Sequence, residues 1–279
     1  MRRAQPKALT DVSADASTLK GRLALVTGAS RGLGRAAAIA FARAGAHVIL
    51  VGRTTGALEE LDDEIQTFAE PATLLTLDLR KGDAVDALGP TLYERWGKLD
   101  IFVGNAGLLG PLSPLPHVTA DAWQHVLDVN LTANWRLIRT LDPLLKRSDA
   151  GRVVFVSSGA ADGSYAYWGP YAVSKAGLEA LAKTYAAECE NTPVRVSIVN
   201  PGGMRTAMRA KAFPGEDPNT LPHPDEVAPL LVELARAESR VHGEVVRFRE
   251  WREAQTVAAA KAALKDEAGE PETGGQTPA

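Results

Sequence analysis

A tyrosine and a lysine lie four residues apart in Tyr171-Ala-Val-Ser174-Lys175, at the start of a helical stretch, and Ser158 lies thirteen residues upstream of the tyrosine. A separation of four places the phenol and the ammonium on one face of a helix, a turn apart. Because a nearby cation favours the phenolate, Tyr171 is expected to exchange a proton near neutral pH, although its reference pKa is about 10. The spacing alone is weak evidence, since two large residues on one helix face are usually packing.

The elements that would position these residues are visible as seven short apolar runs, separated by stretches of mostly 15 residues or more. The runs are residues 23–27, 46–51, 73–77, 99–103, 152–157, 195–200 and 244–248. They are continuously apolar, as in strands buried on both faces of a parallel sheet, and the stretches between them are long enough for helical crossovers. This alternation predicts an α/β fold, a Rossmann-like doubly wound parallel sheet of seven strands flanked by helices. Between residues 120 and 145 apolar residues recur at near-helical spacing.

The ends of the chain differ in composition from its centre. Residues 1–19 are small and polar and are expected to form a flexible arm, followed by a single domain over residues 20–252. Residues 253–279 are rich in Ala, Lys, Glu, Gly and Pro and predict a polar, disordered tail, within which a short helix around 257–264 is possible.

Bulk properties exclude several classes of protein. The 279 residues are 45% hydrophobic and 23% charged, with a formal net charge of −3, so no basic surface for nucleic acid or anionic lipid is expected. No apolar run is long enough to span a bilayer, and the basic start lacks the core of a signal peptide. The single cysteine, Cys189, falls in a helical pattern and is interpreted as packing. We therefore expect a cytoplasmic protein with no nucleic-acid or membrane partner.

The first predicted strand runs directly into a glycine-rich turn, Thr27-Gly28-Ala29-Ser30-Arg31-Gly32-Leu33-Gly34, before a helix begins. Glycines there permit tight backbone angles and close approach of a pyrophosphate, while the helix offers free N–H groups and the positive end of its dipole. The alternative, glycines that serve only helix–strand packing, is disfavoured by the position of the turn after the first strand of an alternating unit.

With Ser158, Tyr171 and Lys175, this Thr-Gly-x3-Gly-x-Gly turn resembles the short-chain dehydrogenase/reductase family, over about residues 20 to 250. Further landmarks of that family follow in order: Asp78-Leu79, Asn105-Ala106-Gly107, Asn130, and Pro201-Gly202 with Thr206. The resemblance implies hydride transfer between a nicotinamide cofactor and a carbonyl or alcohol.

The resemblance also implies roles for individual residues. Tyr171 would be the general acid and base, and Ser158 would orient the substrate oxygen. Lys175 would hold the nicotinamide ribose and, together with the cationic oxidised ring, lower the pKa of the tyrosine. Asn130 would anchor a water that links the lysine to solvent. The predicted cofactor-binding residues are Thr27, Gly28, Ser30, Arg31, Gly32, Leu33, Gly34, Arg53, Asp78 (at the adenine), Leu79, Asn105, Ala106, Gly107, Tyr171, Lys175, Pro201, Gly202 and Thr206 (at the carboxamide).

The choice between the two nicotinamide cofactors can be argued from charge. In dinucleotide folds an acidic residue at the end of the second strand usually accepts from the ribose 2′-hydroxyl, whereas arginine accommodates a 2′-phosphate. Here the strand ends Val51-Gly52-Arg53-Thr54 without a carboxylate, and Arg31 adds a cation in the glycine turn. We therefore predict a preference for NADP(H), with NAD(H) possible; the alternative is that both arginines are solvated surface charges.

The sequence departs from the family pattern at two positions, and it does not identify the substrate. Gly104 stands where the family usually has an asparagine, and the last strand runs into Glu250-Trp251-Arg252 instead of Asp-Gly-Gly. Residues expected near the substrate suggest a largely apolar pocket, and the substrate itself stays open; they are Leu108, Leu109, Pro111, Leu112, Leu115, Tyr165, Tyr167, Trp168, Met204, Met208, Phe213 and Pro214. Arg205 and Arg209 could meet an anionic group or be solvated.

The favoured function is that of an NADP(H)-dependent carbonyl reductase or alcohol dehydrogenase acting on a small molecule. An NADP(H)-binding regulatory or scaffold protein without turnover is the alternative, and a nucleotide-sugar epimerase fits the glycine spacing poorly. The five histidines are scattered and have no metal-ligand spacing, so no metal is predicted. The resemblance implies a homodimer or homotetramer.

Overall fold

The computed structural model of the protein describes residues 18–163 and 165–268. Its sheet has seven parallel strands in the order β3-β2-β1-β4-β5-β6-β7. The strands are β1 Leu23–Thr27, β2 His47–Gly52, β3 Thr73–Thr76, β4 Ile101–Gly104, β5 Arg152–Val156, β6 Arg195–Asn200 and β7 Val245–Arg247. The predicted fold class is confirmed, and each predicted strand is present with ends displaced by two residues or fewer.

Helices cover both faces of this sheet. They are α1 Gly32–Arg43, α2 Thr55–Gln66, α3 Gly82–Asp86, α4 Leu88–Trp96, α5 Ala120–Leu127, α6 Ala133–Leu145, α7 Gly169–Glu188, α8 Ala207–Ala212, α9 Pro224–Ala235 and α10 Phe248–Ala268. Along β1, Val26 packs with α1, α2 and α9, whereas Leu25 packs with α4, α6 and α7. This alternation explains the continuously apolar strands, because both faces of the sheet are buried.

The strand order reverses between β1 and β4, which places a crevice at their carboxyl ends. The glycine turn follows β1, and Asn105 follows β4. Both motifs therefore meet at the position where open α/β sheets bind ligands.

The helical segment 120–145 is not one continuous α-helix. A π-helical turn, Asp128–Thr132, separates α5 from α6, with Asn130 at its centre. Such turns insert an extra residue and are frequent at functional sites.

Both terminal predictions need correction where the structure describes the chain. Residues 1–17 lie outside the described part, but Leu19 is fully buried and its N–H donates to the Ala44 carbonyl at 2.8 Å, so it belongs to the domain and not to an arm. At the other end α10 continues to Ala268, so the prediction of disorder is wrong for residues 253–268; residues 269–279 lie outside the described part.

The composition of the tail did not indicate α10 for two reasons. It does not show the contact that fixes the first turn of the helix to the domain, and the same residue types also have a high helix propensity. The Trp251 indole donates to the Glu233 carboxylate at 2.8 Å, and Phe248 beside it is buried. From this anchored first turn, an Ala-, Lys- and Glu-rich sequence has the highest propensity to continue as a helix. None of the helices described is long and apolar enough to cross a membrane.

Candidate active site

The turn after β1 is packed so closely that it excludes side chains. Gly28 has φ +66°, and a Cβ on Gly34 would lie 2.3 Å from the Gly28 carbonyl oxygen and 2.4 Å from Nδ2 of Asn105. Among the described residues no side chain caps the first turn of α1, so its N–H groups are available to a phosphate. The chain therefore has a cradle of the shape and polarity that a pyrophosphate requires.

Thr27 and Asn105 join the two strands on either side of the crevice. The Thr27 hydroxyl accepts from the N–H groups of Asn105 and Ala106 at 3.0 and 3.1 Å and donates to the Val103 carbonyl at 3.2 Å. Asn105 Nδ2 donates to the Thr27 carbonyl at 2.8 Å. Thr27 is fully buried, so it shapes the crevice from behind and does not line its surface.

Basic residues gather where β2 and β3 end. Arg31 and Arg53 are exposed, and neither has an ion-pair partner within the described ranges. Nearby, the Arg80 guanidinium binds both oxygens of Asp78, with Nε–O distances of 3.0 Å. The hydrogen bonds from Arg80 lower the pKa of Asp78 to about 2, so this carboxylate is ionised and already engaged. Sequence reasoning missed Arg80, although its position two residues after Asp78 allows the pairing.

Ser158, Tyr171 and Lys175 come together at the floor of the crevice, as their spacing predicts. The Ser158 hydroxyl lies close enough to the Tyr171 phenol to favour its ionised form, and it accepts from the Ala160 N–H at 3.2 Å. Lys175 Nζ lies 5.9 Å from the centre of the Tyr171 ring and donates to the Val156 carbonyl at 2.7 Å. Both Tyr171 and Lys175 are buried.

Burial dominates the ionisation of both Tyr171 and Lys175. Burial raises the pKa of Tyr171, and the hydrogen bond with Ser158 opposes this only in part. Burial also lowers the pKa of Lys175 to about 8. Desolvation sets the direction of the Tyr171 shift, and the phenol keeps its proton at neutral pH.

Asn130 is fully buried, and its side chain joins three elements. Its Oδ1 accepts from the Leu108 N–H at 2.8 Å, and its Nδ2 donates to the Leu108 carbonyl and the Ser174 hydroxyl, each at 2.9 Å. Ser174 in turn donates to the Tyr171 carbonyl at 2.7 Å. An added Cβ on Gly107 would lie 3.5 Å from Lys175 Nζ and 3.6 Å from Asn130 Oδ1, so Gly107 leaves the space between them open.

A second buried amide, that of Asn134, hydrogen-bonds to the π turn. It occupies the space that a side chain at position 104 would fill. Its Nδ2 donates to the Asn130 carbonyl at 2.9 Å, and its Oδ1 lies 2.6 Å from where a Cβ on Gly104 would be. Phe155 lies equally close to that point. The departure at Gly104 thus makes room for Asn134, a residue that sequence reasoning missed, although it stands four residues after Asn130.

Thr206 faces the glycine turn from the other side of the crevice. Its Cγ2 lies 3.6 Å from where a Cβ on Gly32 would be, and its hydroxyl caps α8 by accepting from the Arg209 N–H at 3.2 Å. Of the remaining predicted residues, Pro201 and Leu79 are buried and Gly202 is exposed. Ser30 lies in the turn after β1, Leu33 is the second residue of α1, and Ala106 follows β4.

Aromatic side chains surround the opening above Tyr171. The Trp168 ring lies 5.7 Å from that of Tyr171 and 5.6 Å from those of Tyr165 and Phe213. Tyr167 adopts the left-handed region with φ +72°, which is rare for a non-glycine residue.

Arg209 is not free to meet an anionic group, one of the two possibilities open at the sequence level. Its Nε and Nη2 donate to the two Glu216 oxygens at 2.5 and 2.6 Å, and its guanidinium lies 3.8 Å over the Phe213 ring. Arg205 donates from Nε to the Pro218 carbonyl at 3.0 Å. Within the described residues no group of three or more His, Cys, Asp or Glu could hold a metal ion.

Comparison with protein-family models gives a match to short chain dehydrogenase over residues 22–217. An uncharacterised oxidoreductase of Escherichia coli K12, YciK, is 41% identical over 226 residues, 80% of this chain and 89% of that protein. A 3β-hydroxysteroid dehydrogenase of Eggerthella lenta is 34% identical over 215 residues, 76% of this chain and 81% of that protein.

Solved structures agree with these sequence relatives. A short chain dehydrogenase from Escherichia coli CFT073 in complex with NADPH has a TM-score of 0.81 and 39% identity, over 84% of this chain and 99% of that one. One from Shigella flexneri 2a in complex with NADP has a TM-score of 0.81 and 38% identity, over 84% of this chain and 100% of that one.

Proposed function

This chain belongs to the short chain dehydrogenase family, and from that premise we propose an NADP(H)-dependent oxidoreductase that reduces a carbonyl or oxidises the matching alcohol. The observation that carries the proposal is the meeting of Ser158, Tyr171 and buried Lys175 at the floor of a crevice that begins with a glycine cradle.

The glycine cradle and Thr206 would hold the cofactor across the crevice. The first turn of α1 offers N–H groups to the pyrophosphate, and Arg31 and Arg53 offer unpaired guanidinium groups to a 2′-phosphate. NADPH and NADP in two relatives of known structure support this choice. When bound, the reduced nicotinamide supplies a hydride to the carbonyl carbon.

Proton delivery to the carbonyl oxygen falls to Tyr171. Its raised pKa means that the phenol carries a proton at neutral pH, the form needed for a general acid. Ser158, which lies beside the same phenol, would donate to the substrate oxygen and align it. The reverse reaction requires loss of that proton, which Lys175 promotes only in its charged form, below a pKa of about 8.

Asn130 would hold Tyr171 and the loop after β4 in fixed positions. Its side chain fixes the loop after β4 and, through Ser174, the backbone of Tyr171. The open space beside Gly107 lies between Asn130 and Lys175 and suits a water that returns the proton from solvent.

The test is NADPH oxidation over a panel of carbonyl compounds with Tyr171→Phe and a matched control, Tyr93→Phe, which removes an exposed hydroxyl on α4. We expect Tyr171→Phe to lower kcat by about 10³-fold, within the usual contribution of a general acid, with the NADPH Kd unchanged. Tyr93→Phe should keep wild-type turnover.

The alternative is an NADP(H)-binding regulatory or scaffold protein. Micromolar or tighter NADPH binding together with no turnover of any carbonyl or alcohol in either direction would favour it over the enzyme.

Cofactor preference is tested separately by titration of NADPH and NADH. Loss of one charge-assisted contact in Arg53→Ala should weaken NADPH about 10- to 100-fold and leave NADH nearly unaffected. Arg95→Ala is the matched control, since Arg95 acts on His47 at the opposite, amino-terminal end of β2. Equal losses for both cofactors would contradict a 2′-phosphate contact.

A homodimer or homotetramer is part of the proposal and rests on family resemblance. Trp135 on α6 and Val173 on α7 are large apolar side chains left exposed on these helices, which supports an interface there. Light scattering on the wild type and on Val173→Asp would test it, with a monomeric variant as the expected result.

A further inference from the structure

The aromatic wall, defined here as Tyr165, Trp168 and Phe213, is fixed directly to the predicted proton donor. Trp168 immediately precedes α7, three residues before Tyr171, and its carbonyl accepts from the Ala172 N–H at 2.8 Å. Its indole meets the Tyr171 ring edge-on, with an interplanar angle of 68°. The indole therefore keeps one position relative to the phenol.

The wall also joins two segments that are distant in sequence. Tyr165 comes from the loop before α7, and Phe213 follows α8, yet both rings lie 5.6 Å from that of Trp168. Leu109 and Ala160 pack into the same cluster from two further loops. Tyr165 is 47% exposed, so its ring surface remains available to a ligand.

Arg209, whose guanidinium packs on Phe213 of the wall, is already paired with a carboxylate. The Arg209 guanidinium is held by both oxygens of Glu216 and by the face of Phe213, which leaves little of its charge for a substrate. An incoming carboxylate or phosphate would have to displace Glu216 and would meet its negative charge. The wall thus selects against anions.

Building on the proposed carbonyl reduction, we propose that the substrate is a neutral ketone or aldehyde with a planar aromatic or conjugated ring beside its carbonyl group. Tyr171 and Ser158 take the carbonyl oxygen while the ring lies against the wall, where offset or edge-to-face ring contacts contribute beyond burial alone. A saturated ring of equal size loses those contacts, and an anionic ring meets Glu216.

Two aldehydes of nearly equal size, benzaldehyde and cyclohexanecarbaldehyde, test this with NADPH. The larger, anionic 4-carboxybenzaldehyde tests the charge, and propanal is a carbonyl too small to reach the wall. We expect kcat/KM for benzaldehyde to exceed that for cyclohexanecarbaldehyde about tenfold, and that for 4-carboxybenzaldehyde by more. Trp168→Ala should bring the ratio of the first two close to one, with Trp168→Phe in between. Glu216→Gln should raise the rate with 4-carboxybenzaldehyde selectively.

Equal or better reduction of the cyclohexane aldehyde, or a preference for the carboxylated one, would overturn the proposal. A second experiment separates failure of the wall proposal from failure of the proposed carbonyl reduction. Calorimetry on the NADPH-loaded protein measures the binding of two amides that are not reduced, benzamide and cyclohexanecarboxamide. Preferential benzamide binding without turnover of any aldehyde, propanal included, supports the wall and overturns the reductase. Turnover of propanal with equal binding of both amides does the reverse.

Discussion

The floor of the crevice (residues 27–34, 104–107 and 130–134, with Ser158, Tyr171 and Lys175) is held mainly by hydrogen bonds, whereas the aromatic wall is held by ring contacts, with the Arg209–Glu216 ion pair beside it. In the floor, the Thr27 hydroxyl and the Asn130 side-chain amide each make three hydrogen bonds to backbone groups or buried side chains. In the wall, Tyr165 is about half exposed, and neighbouring Tyr167 occupies a strained conformation.

This difference indicates that substitutions in the floor are costly, whereas the wall tolerates a change of side chain. A misplaced atom in the floor leaves a buried polar group unpaired, which costs about 1–3 kcal/mol each time. A changed ring in the wall mainly alters what packs against it. The floor therefore suits chemistry common to a family, and the wall suits recognition of a particular substrate.

The most severe test of floor rigidity is Gly34→Ala. The added methyl would overlap the Gly28 carbonyl oxygen and Asn105, both fixed by the fold, so we expect a loss of about 3 kcal/mol or more in the free energy of unfolding. Gly56→Ala in α2 is the matched control, because nothing lies within 4 Å of its added methyl, and it should be stabilising by about 0.5–1 kcal/mol. Urea unfolding measures both, and a tolerated Gly34→Ala would break the contrast between floor and wall.

A double-mutant cycle on Gly104 and Asn134 sharpens the same point. Gly104→Ala forces a methyl against Asn134 Oδ1, and Asn134→Gly leaves the Asn130 carbonyl without this partner, so each should cost about 1–3 kcal/mol. Because the second change removes part of the clash, the double variant should be more stable than the sum of the two losses implies, by about 1 kcal/mol. Additive losses in chemical denaturation would mean that the two sites are independent.

Lys175 shows that the floor sacrifices stability for chemistry. Burial lowers its pKa from 10.5 to about 8, so the folded state disfavours the charged form, and the cost is fully present below pH 8 and disappears as pH rises toward 10.5. Lys175→Met should therefore stabilise the cofactor-free protein by about 2 kcal/mol at pH 7, less near pH 10, while activity is lost. A melting temperature that is equal or lower at pH 7, or a gain independent of pH, would contradict this origin.

The smallest effect is expected in the wall segment, at Tyr167→Gly. Glycine adopts φ +72° without a steric cost, but its flexible unfolded state offsets part of the gain, so we expect between no change and about 1 kcal/mol of stabilisation. The Tyr167 carbonyl can still accept from the Ser113 N–H. Thermal unfolding measures it, and a loss above about 2 kcal/mol would place this segment with the rigid floor.

The sequence predicts the sheet and the floor well because their signals are local. Strands buried on both faces are apolar throughout, and the glycine turn can be recognised by its position after the first strand. Ser158, Tyr171 and Lys175 meet because a strand end and a helix start return to the same edge of a parallel sheet.

The remaining features depend on packing that local patterns do not encode. The π turn at Asn130 inserts a single residue that the near-helical apolar spacing over residues 120–145 does not reveal. The Arg209–Glu216 pair forms only when the chain folds back after α8. The raised pKa of Tyr171 is set by burial, which the four-residue spacing to Lys175 cannot reveal. The extent of α10 depends on the contact of Trp251 with Glu233 on another helix.

The π turn also sets which face of α6 points toward the core. One additional residue rotates everything after it by about 100° around the helix axis. Upstream of the turn α5 packs on α7, and downstream α6 packs on α3 and α4. Removal of one residue from Asp128–Thr132 would therefore turn Leu137 and Leu141 away from the core, and the helical wheel of α6 would no longer match the groove that it fills.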